Sequence, residues 1–139
     1  MTTAAQHLVK HGIRLSMQRM AIMQYLLDHH THPTVDTIYK DLLQSMPTLS
    51  RTTVYNTLEL LRENNAVHAL TIDKRTVHYD GQTHPHAHFL CRRCGEIFDM
   101  EVDECIAGHL HASDDFKIER YELYYSGLCP KCKAQEQIK

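Results

Sequence analysis

The sequence predicts an α+β protein with an N-terminal winged helix-turn-helix followed by a small α/β domain closed by a four-cysteine zinc site. Two observations predict this organisation. The first half contains three capped helical segments and then a hairpin, which is the layout of a winged helix. The second half contains two Cys-x-x-Cys turns that flank further strand-like and helical segments, a spacing typical of structural zinc.

Capping residues mark the helices of the first half. Ser16, Thr34 and Ser50 each precede a segment whose apolar residues recur at helical spacing. Pro33 and Pro47 separate these segments, and connections this short force the helices to pack as neighbours. The predicted helices span residues 16–30, 34–42 and 50–64.

A hairpin is predicted after the third helix, because two strand-like runs flank a polar turn. The runs are Ala66–Ile72 and Thr76–Tyr79, and the turn is Asp73-Lys74-Arg75. Three helices and a hairpin indicate a winged helix, which we place at residues 1–80. Residues 81–85 are then predicted to be a hinge or linker.

The second domain is predicted to cover residues 86–139. Apolar alternation indicates strands on both sides of the first Cys-x-x-Cys turn and a longer strand before the second one. A helix is predicted between them. The predicted strands are Ala87–Leu90, Glu96–Met100 and Phe116–Tyr125, and the predicted helix is Asp103–Ala112.

The composition favours a cytoplasmic globular protein. No apolar run approaches the ~20 residues that a membrane span needs, and the first residues lack the features of a signal peptide. We therefore expect no membrane partner. Residues 1–79 carry eight Lys or Arg against six Asp or Glu, whereas residues 80–139 carry seven against eleven. The slight basic excess of the first half is only weakly indicative of nucleic-acid binding.

The four paired cysteines are the most specific signal. Cys91 and Cys94 form one Cys-x-x-Cys turn, and Cys129 and Cys132 form the other. Two such turns complete a tetrahedral zinc site without an open position, so this zinc is expected to be structural. Two disulfides or redox-active pairs are the alternatives, which a reducing compartment disfavours. The fifth cysteine, Cys105, is expected to be a small buried residue, with a reactive thiol as the alternative.

A second group of metal-ligating residues lies just upstream of the first Cys-x-x-Cys turn. Alternate residues of a strand share a face, so His86 and His88 can bind one ion. Asp80 precedes this segment, and Asp99 lies on the neighbouring predicted strand. Imidazole with carboxylate suits Fe, Mn, Co, Ni or Zn. A solvated surface is the alternative, and His32, beside a proline, is by spacing alone a loop or capping residue.

The predicted helix 50–64 is the candidate for reading DNA. Its first turns carry polar side chains, including Arg and Asn, which pair with guanine and adenine edges. Basic residues at the hairpin tip would contact phosphate. A capped amphipathic helix with a polar outer face is the alternative. The candidate DNA-contacting residues are Arg19, Arg51, Thr52, Thr53, Tyr55, Asn56, Lys74 and Arg75.

With these features, the chain resembles the ferric uptake regulator family over almost its whole length. Within that family it most closely resembles the peroxide-responsive repressors. The resemblance implies a homodimeric, metal-dependent repressor with a winged helix joined to a dimerisation domain. It implies structural zinc, a regulatory metal near the hinge, and a double-stranded DNA operator as partner. The matching segments are residues 16–19, 32–39, 52–58 and 86–95 and the closing Cys-x-x-Cys turn.

The resemblance also implies the ligands of a regulatory Fe(II) or Mn(II) ion. His32 belongs to the DNA-binding half, so an ion bound to both halves would favour one arrangement of them. Iron-uptake members typically have Glu at the two positions where this chain has Asp ligands. The peroxide-responsive branch has Asp at both positions, as this chain does. In that branch peroxide oxidises the His at positions 32 and 86, and DNA is released. The implied ligands are His32, Asp80, His86, His88 and Asp99.

Two positions depart from the family pattern. Ala87 replaces the Asp of the family's His-Asp-His segment, and Tyr121 stands where many members have a His ligand. These departures argue against the additional metal site of other branches. Glu104 and His109 are the remaining candidates for partial ligands of such a site.

The function predicted from the sequence is a peroxide-sensing repressor of oxidative-defence genes. An iron-uptake or zinc-uptake repressor of the same family is the first alternative. A zinc-ribbon interaction module without a DNA role is an alternative from another class. The sequence shows no nucleophile elbow, phosphate-binding glycine loop or catalytic carboxylate pair, so we expect no enzyme and no small molecule other than peroxide as signal.

Overall fold

The computed structural model describes residues 3–81, 87–101, 115–117 and 121–137. The chain divides into two compact units, Met1–Thr83 and His84–Lys139. Among the described residues, no helix has the length and apolar character needed to cross a membrane. Residues 82–85 of the predicted hinge lie outside the described residues, as does the predicted helix Asp103–Ala112.

In the described part of the first unit there are four helices, and all begin at a side-chain cap. In each, the hydroxyl of the N-cap residue accepts a hydrogen bond from the backbone N–H three residues later. The caps Ser16, Thr34 and Ser50 are those that the sequence predicts, so these three helices are confirmed. The helices are α1 Ala4–Lys10, α2 Met17–Asp28, α3 Val35–Leu43 and α4 Arg51–Glu63.

Helix α1 is an element that the sequence analysis missed. Its start is marked by a capping box, in which the side chains of Thr3 and Gln6 bond to each other's backbone N–H. The helix is held against the end of α4, because His7 Nε2 lies 2.7 Å from the carbonyl oxygen of Ala66. Leu8 is fully buried. The capping box was a usable signal, although seven residues contain too few apolar positions to show helical periodicity.

The predicted hairpin is present with shorter strands. Strand β1 (His68–Leu70) pairs antiparallel with β2 (His78–Asp80), and His68 lies opposite Asp80. The residues between the strands form a loop around Asp73, whose carboxylate accepts a hydrogen bond from the backbone N–H of Arg75 at 3.0 Å. The Asp73 side chain thereby satisfies a backbone N–H that would otherwise pair with the opposite strand in a longer hairpin. The strands therefore end early.

The core of the first unit joins every helix to the hairpin. Its fully buried side chains come from α1, α2, α3, α4 and β2, and most of the polar side chains in the first turns of α4 stay outside it. Fixing α4 in this way gives its polar face a defined direction. The largest of these core side chains are Leu8, Ile22, Met23, Leu26, Ile38, Leu58, Leu61 and Tyr79.

Gly81, predicted as the first hinge residue, packs closely against α2. A Cβ atom at Gly81 would lie 2.9 Å from the carbonyl oxygen of Leu26 and 3.1 Å from its carbonyl carbon. These are backbone atoms of a helix, so only a shift of β2 or α2 could relieve the contact. We expect Gly81→Ala to lower the free energy of unfolding by about 1–3 kcal/mol, as overpacking does. Urea denaturation followed by far-UV circular dichroism measures it, and an unchanged free energy would contradict this packing.

The second unit contains a three-stranded sheet of order β4-β3-β5. Strand β3 (Ala87–Cys91) pairs antiparallel with β4 (Ile97–Met100) and parallel with β5 (Tyr124–Gly127). Helix α5 (Pro130–Gln137) follows and was not predicted from the sequence.

The first two predicted strands of this unit are confirmed, but the boundaries predicted for the third are wrong. Among the described residues of Phe116–Tyr125, only Tyr124 and Tyr125 belong to a strand. Pairing decides the limits, because β3 offers partners only from His88 opposite Tyr124 to Cys91 opposite Gly127. The described residues 121–123 lie outside the strand, although the carbonyl oxygen of Leu123 still accepts a hydrogen bond from the backbone N–H of His88 at 3.1 Å.

Candidate metal centres and DNA-recognition surface

The four paired cysteines form one cluster in the second unit. The four sulfur atoms all lie within 4.8 Å of one another, and the sulfurs of Cys94 and Cys129 are 3.9 Å apart. Four thiolates bound tetrahedrally at about 2.3 Å have sulfurs roughly 3.8 Å apart. All four are free cysteines, so they do not form the disulfides that the sequence left open. The residues fit a zinc ion.

Local backbone geometry creates this cluster. Cys91 ends β3, and the turn after it closes at Gly95, whose φ of 77° lies in the left-handed region that glycine adopts without strain. The parallel pairing places Cys91 opposite Gly127, two residues before Cys129. Cys132 then lies in the first turn of α5. The sheet register therefore brings together two turns that are far apart in sequence.

The electrostatics of the cluster favour a dication. Backbone N–H groups of Cys94 and Cys129 donate to the Cys91 sulfur at 3.5 and 3.4 Å, which lowers the pKa of Cys91 to about 5. Burial and the neighbouring sulfurs raise the pKa of Cys132 to about 12. The Cys91 sulfur is thus prepared as a thiolate, and a bound positive ion would favour loss of the Cys132 proton. Cys105, Glu104 and His109 lie outside the described residues.

A His–carboxylate pair lies in the first unit. His32 Nε2 is 3.9 Å from an Asp80 carboxylate oxygen, and both side chains are almost completely buried. Two donors bound to one ion at about 2.1 Å lie roughly 3 to 4.2 Å apart, depending on their angle. The pair therefore fits two ligand positions of a metal ion, which would offset the cost of a buried carboxylate.

A second His–carboxylate pair lies in the second unit. His88 on β3 faces Asp99 on β4, directly opposite in the antiparallel register. His88 Nε2 is 3.3 Å from an Asp99 carboxylate oxygen, and the His88 side chain is buried while Asp99 remains partly accessible. This distance also suits two ligands of one ion. His86, the other predicted ligand from this segment, lies outside the described residues.

The first turns of α4 present the predicted DNA-contacting side chains to solvent. Arg51, Thr52, Tyr55 and Asn56 are exposed, whereas Thr53 is half-buried. The hydroxyl of Thr53 accepts a hydrogen bond from the N-cap hydroxyl at 2.8 Å. This hydroxyl is therefore engaged in the helix cap. We expect Thr53 to position the helix rather than to contact a base.

Arg51 has a partner that the sequence did not predict. Its guanidinium forms an ion pair with Asp36 on α3, and both side chains are largely exposed. The Asp36 carboxylate raises the pKa of Arg51 above its ordinary value. An exposed pair of this kind contributes little stability. Its geometric effect is to hold the guanidinium over the start of α4, where a phosphate or a guanine edge would have to displace Asp36.

The remaining basic candidates lie on α2 and at the hairpin tip. Arg19 borders a concavity between the start of α2 and α4, together with Arg14, Thr53 and Asn56. Its guanidinium donates to the carbonyl oxygen of Arg14 at 2.8 Å. Arg14 was missed, because a lone Arg before a cap has no sequence signature. Lys74 and Arg75 are exposed on the loop between β1 and β2.

Comparison with known proteins gives a consistent relationship. The family model described as "Ferric uptake regulator family" matches residues 10–126. The chain is 38% identical to the peroxide-responsive repressor PerR of Staphylococcus epidermidis, over 91% of this chain and 85% of that protein. It is 37% identical to the solved structure of PerR from Streptococcus pyogenes, with a TM-score of 0.51 over 92% of this chain and 89% of that one.

A more distant solved structure shares the fold alone. The ferric uptake regulator from Pseudomonas aeruginosa with manganese is 19% identical and has a TM-score of 0.77, over 93% of this chain and 99% of that one. The match of the family model to most of the chain is decisive for the relationship. The chain therefore belongs to the ferric uptake regulator family.

Proposed function

We propose that the chain is a metal-dependent transcriptional repressor that senses hydrogen peroxide through an Fe(II) or Mn(II) site and releases DNA when His is oxidised. Most of the chain aligns with a peroxide-responsive repressor at 38% identity. The observation that carries the proposal is the pair of His–Asp contacts, one in each unit, because both use Asp rather than Glu. Imidazole with carboxylate suits Fe(II) and Mn(II).

One regulatory ion would take ligands from both pairs. Each pair supplies only two donors, fewer than first-row dications bind, and both contain the ligand types that the family resemblance implies. His86 would add a further ligand. An ion bound to both units favours the arrangements in which the two pairs meet, and it shifts the population towards them. In a homodimer this sets the separation of the two α4 helices to about one DNA turn.

The other parts of the repressor have supporting roles. The four-cysteine cluster would hold a structural zinc ion in each subunit, because no ligand position is left open for a substrate. The exposed start of α4 would enter the major groove, and Lys74 and Arg75 would contact phosphate. A repressor acts where its operator lies, so we propose a cytoplasmic location. The function requires no catalytic turnover.

Peroxide would act as the signal by changing a ligand covalently. With iron bound, the site supplies the redox chemistry that activates peroxide. A carbon–oxygen bond replaces a carbon–hydrogen bond on the ring of His32 or His86, the peroxide O–O bond breaks, and the second oxygen leaves as water with the displaced hydrogen. The oxidised ring is a poorer ligand, so the ion and then the operator would be lost.

The test is a peroxide titration of the zinc-loaded, iron-loaded protein, with tryptic mass spectrometry of His32 and His86. We expect Asp99→Glu to need about tenfold more peroxide for half-oxidation, because a longer carboxylate changes the iron coordination. The Mn(II)-loaded protein is the matched control and should stay unmodified. Wild-type protein that keeps its operator affinity and unmodified His would support an iron-uptake or zinc-uptake repressor instead.

A further inference from the structure

His32 has a backbone conformation that needs support. Its φ is 58°, in the left-handed region, and it directly precedes Pro33. His tolerates this region better than most residues, but a following proline restricts the backbone further. A conformation of this kind persists where the surrounding structure fixes it. Here it directs a buried imidazole towards Asp80.

The support comes from β2. His78 Nδ1 lies 2.6 Å from the carbonyl oxygen of His32, and the backbone N–H of Tyr79 donates to the carbonyl oxygen of Pro33 at 2.9 Å. Two successive residues of β2 thus hold two successive carbonyls of the loop. The next residue of the strand is Asp80. One short strand therefore carries a carboxylate of the pair and also fixes the backbone of its His partner.

The His78 ring is itself held in place from the other side. Its Nε2 lies 3.2 Å from a carboxylate oxygen of Asp73, a side chain that is almost completely buried. The backbone N–H of Arg75 and the His78 ring keep the pKa of Asp73 below its ordinary value. Because a carbonyl oxygen only accepts hydrogen bonds, the Nδ1 of His78 carries the hydrogen of the bond to His32.

We propose that His78 is a positioning residue for the regulatory metal, and that the Nδ1 bond to the His32 carbonyl is the contact that matters. This rests on the proposed role of His32 and Asp80 as ligands. Groups that orient metal ligands typically change metal affinity 10- to 100-fold when they are lost. The Asp73 contact has a separate effect, because it anchors the ring to the hairpin loop and not to the metal pair.

Two amide substitutions separate the contacts. The amide nitrogen of Asn occupies the place of Nδ1, so His78→Asn keeps the donor to His32 and loses Asp73. The amide nitrogen of Gln occupies the place of Nε2, so His78→Gln keeps Asp73 and loses His32. We expect Mn(II) to bind about tenfold more weakly to the Gln variant and within about threefold of wild type to the Asn variant. Calorimetric titration of the full zinc-loaded chain measures both.

A readout without regulatory metal checks the geometry. Amide hydrogen exchange at Tyr79 should accelerate in His78→Gln and not in His78→Asn, because the loop carbonyls are released only in the former. His11→Gln is the matched control, since His11 Nδ1 also bonds a backbone carbonyl, that of Asn64 at 3.1 Å. It should leave Mn(II) binding and Tyr79 exchange unchanged.

The outcomes distinguish the two proposals. If His32→Ala abolishes Mn(II) binding but His78→Gln binds as tightly as wild type, the positioning role is overturned and the metal site stands. Equal losses in the Asn and Gln variants also overturn it, because the Asn variant keeps the donor to the His32 carbonyl and the Gln variant does not. If His32→Ala binds Mn(II) normally, the regulatory site itself is misplaced, and both proposals fail.

Discussion

Cys129→Ser should lose the zinc ion and the folded second unit together. The Cys129 sulfur lies 3.9 Å from that of Cys94, and its backbone N–H donates to the Cys91 sulfur. Structural zinc contributes roughly 10 kcal/mol to the folding of small zinc domains. Losing one thiolate ligand should therefore cost more free energy than the whole free energy of unfolding of a small unit. We expect less than one ion in ten subunits by elemental analysis, and loss of the dimer by analytical ultracentrifugation.

A second Cys→Ser substitution provides the control. Cys105→Ser removes the fifth thiol and should leave one zinc ion in each subunit and the dimer intact. The helices of the first unit should keep their circular dichroism in both variants, because that unit has its own buried core. A Cys129→Ser protein that is dimeric and fully zinc-loaded would contradict the structural role. Zinc loss from Cys105→Ser would show that a different set of cysteines holds the ion.

The sequence predicted the elements that have local signals. Ser16, Thr34 and Ser50 were recognisable caps, and the Cys-x-x-Cys spacing identified a cluster that the structure brings within bonding range of one ion. Both signals depend on residues within a few positions of each other. This is why helices α2, α3 and α4 were predicted nearly to the residue and the four clustered cysteines were identified.

Features set by distant residues were not predictable. The ion pair of Arg51 with Asp36 needs the packing of α4 on α3, which no single segment encodes. The upstream limit of β5 depends on where β3 offers it a partner. His78 looked like an ordinary strand residue, because its role requires the carbonyl of His32, 46 positions earlier, to lie 2.6 Å away.

His32 shows where local reasoning fails at the site itself. Beside a proline, it has the sequence appearance of a loop residue, and only the family resemblance suggested a ligand. The structure supplies the physical reason: a left-handed backbone and burial beside Asp80. Neither property follows from the residue or its neighbours, because the conformation is fixed by contacts with β2.

His32→Ala should abolish the effect of Mn(II) on operator binding. Without His32 the first unit offers the ion only one ligand, Asp80, and an ion that holds one unit so weakly no longer favours one arrangement of the two units. A coupling of this kind is typically 5- to 150-fold in affinity. We expect Mn(II) to tighten wild-type binding by at least about tenfold and to leave the His32→Ala affinity unchanged. Fluorescence anisotropy at constant salt measures it, with an operator selected from random DNA by the Mn(II)-loaded wild type.

Combining substitutions from the two units tests whether one ion is shared. His32→Ala and Asp99→Ala should each remove the Mn(II) effect, and the double variant should be no worse, because a coupling that is already lost cannot be lost again. Two independent ions would instead give partial, additive losses. His11→Ala controls for a general effect on the first unit, since His11 bonds the carbonyl oxygen of Asn64 at the end of α4. Retained Mn(II) stimulation in His32→Ala would mean that the metal acts through the second unit alone, and the DNA-binding unit would then need another route to sense it.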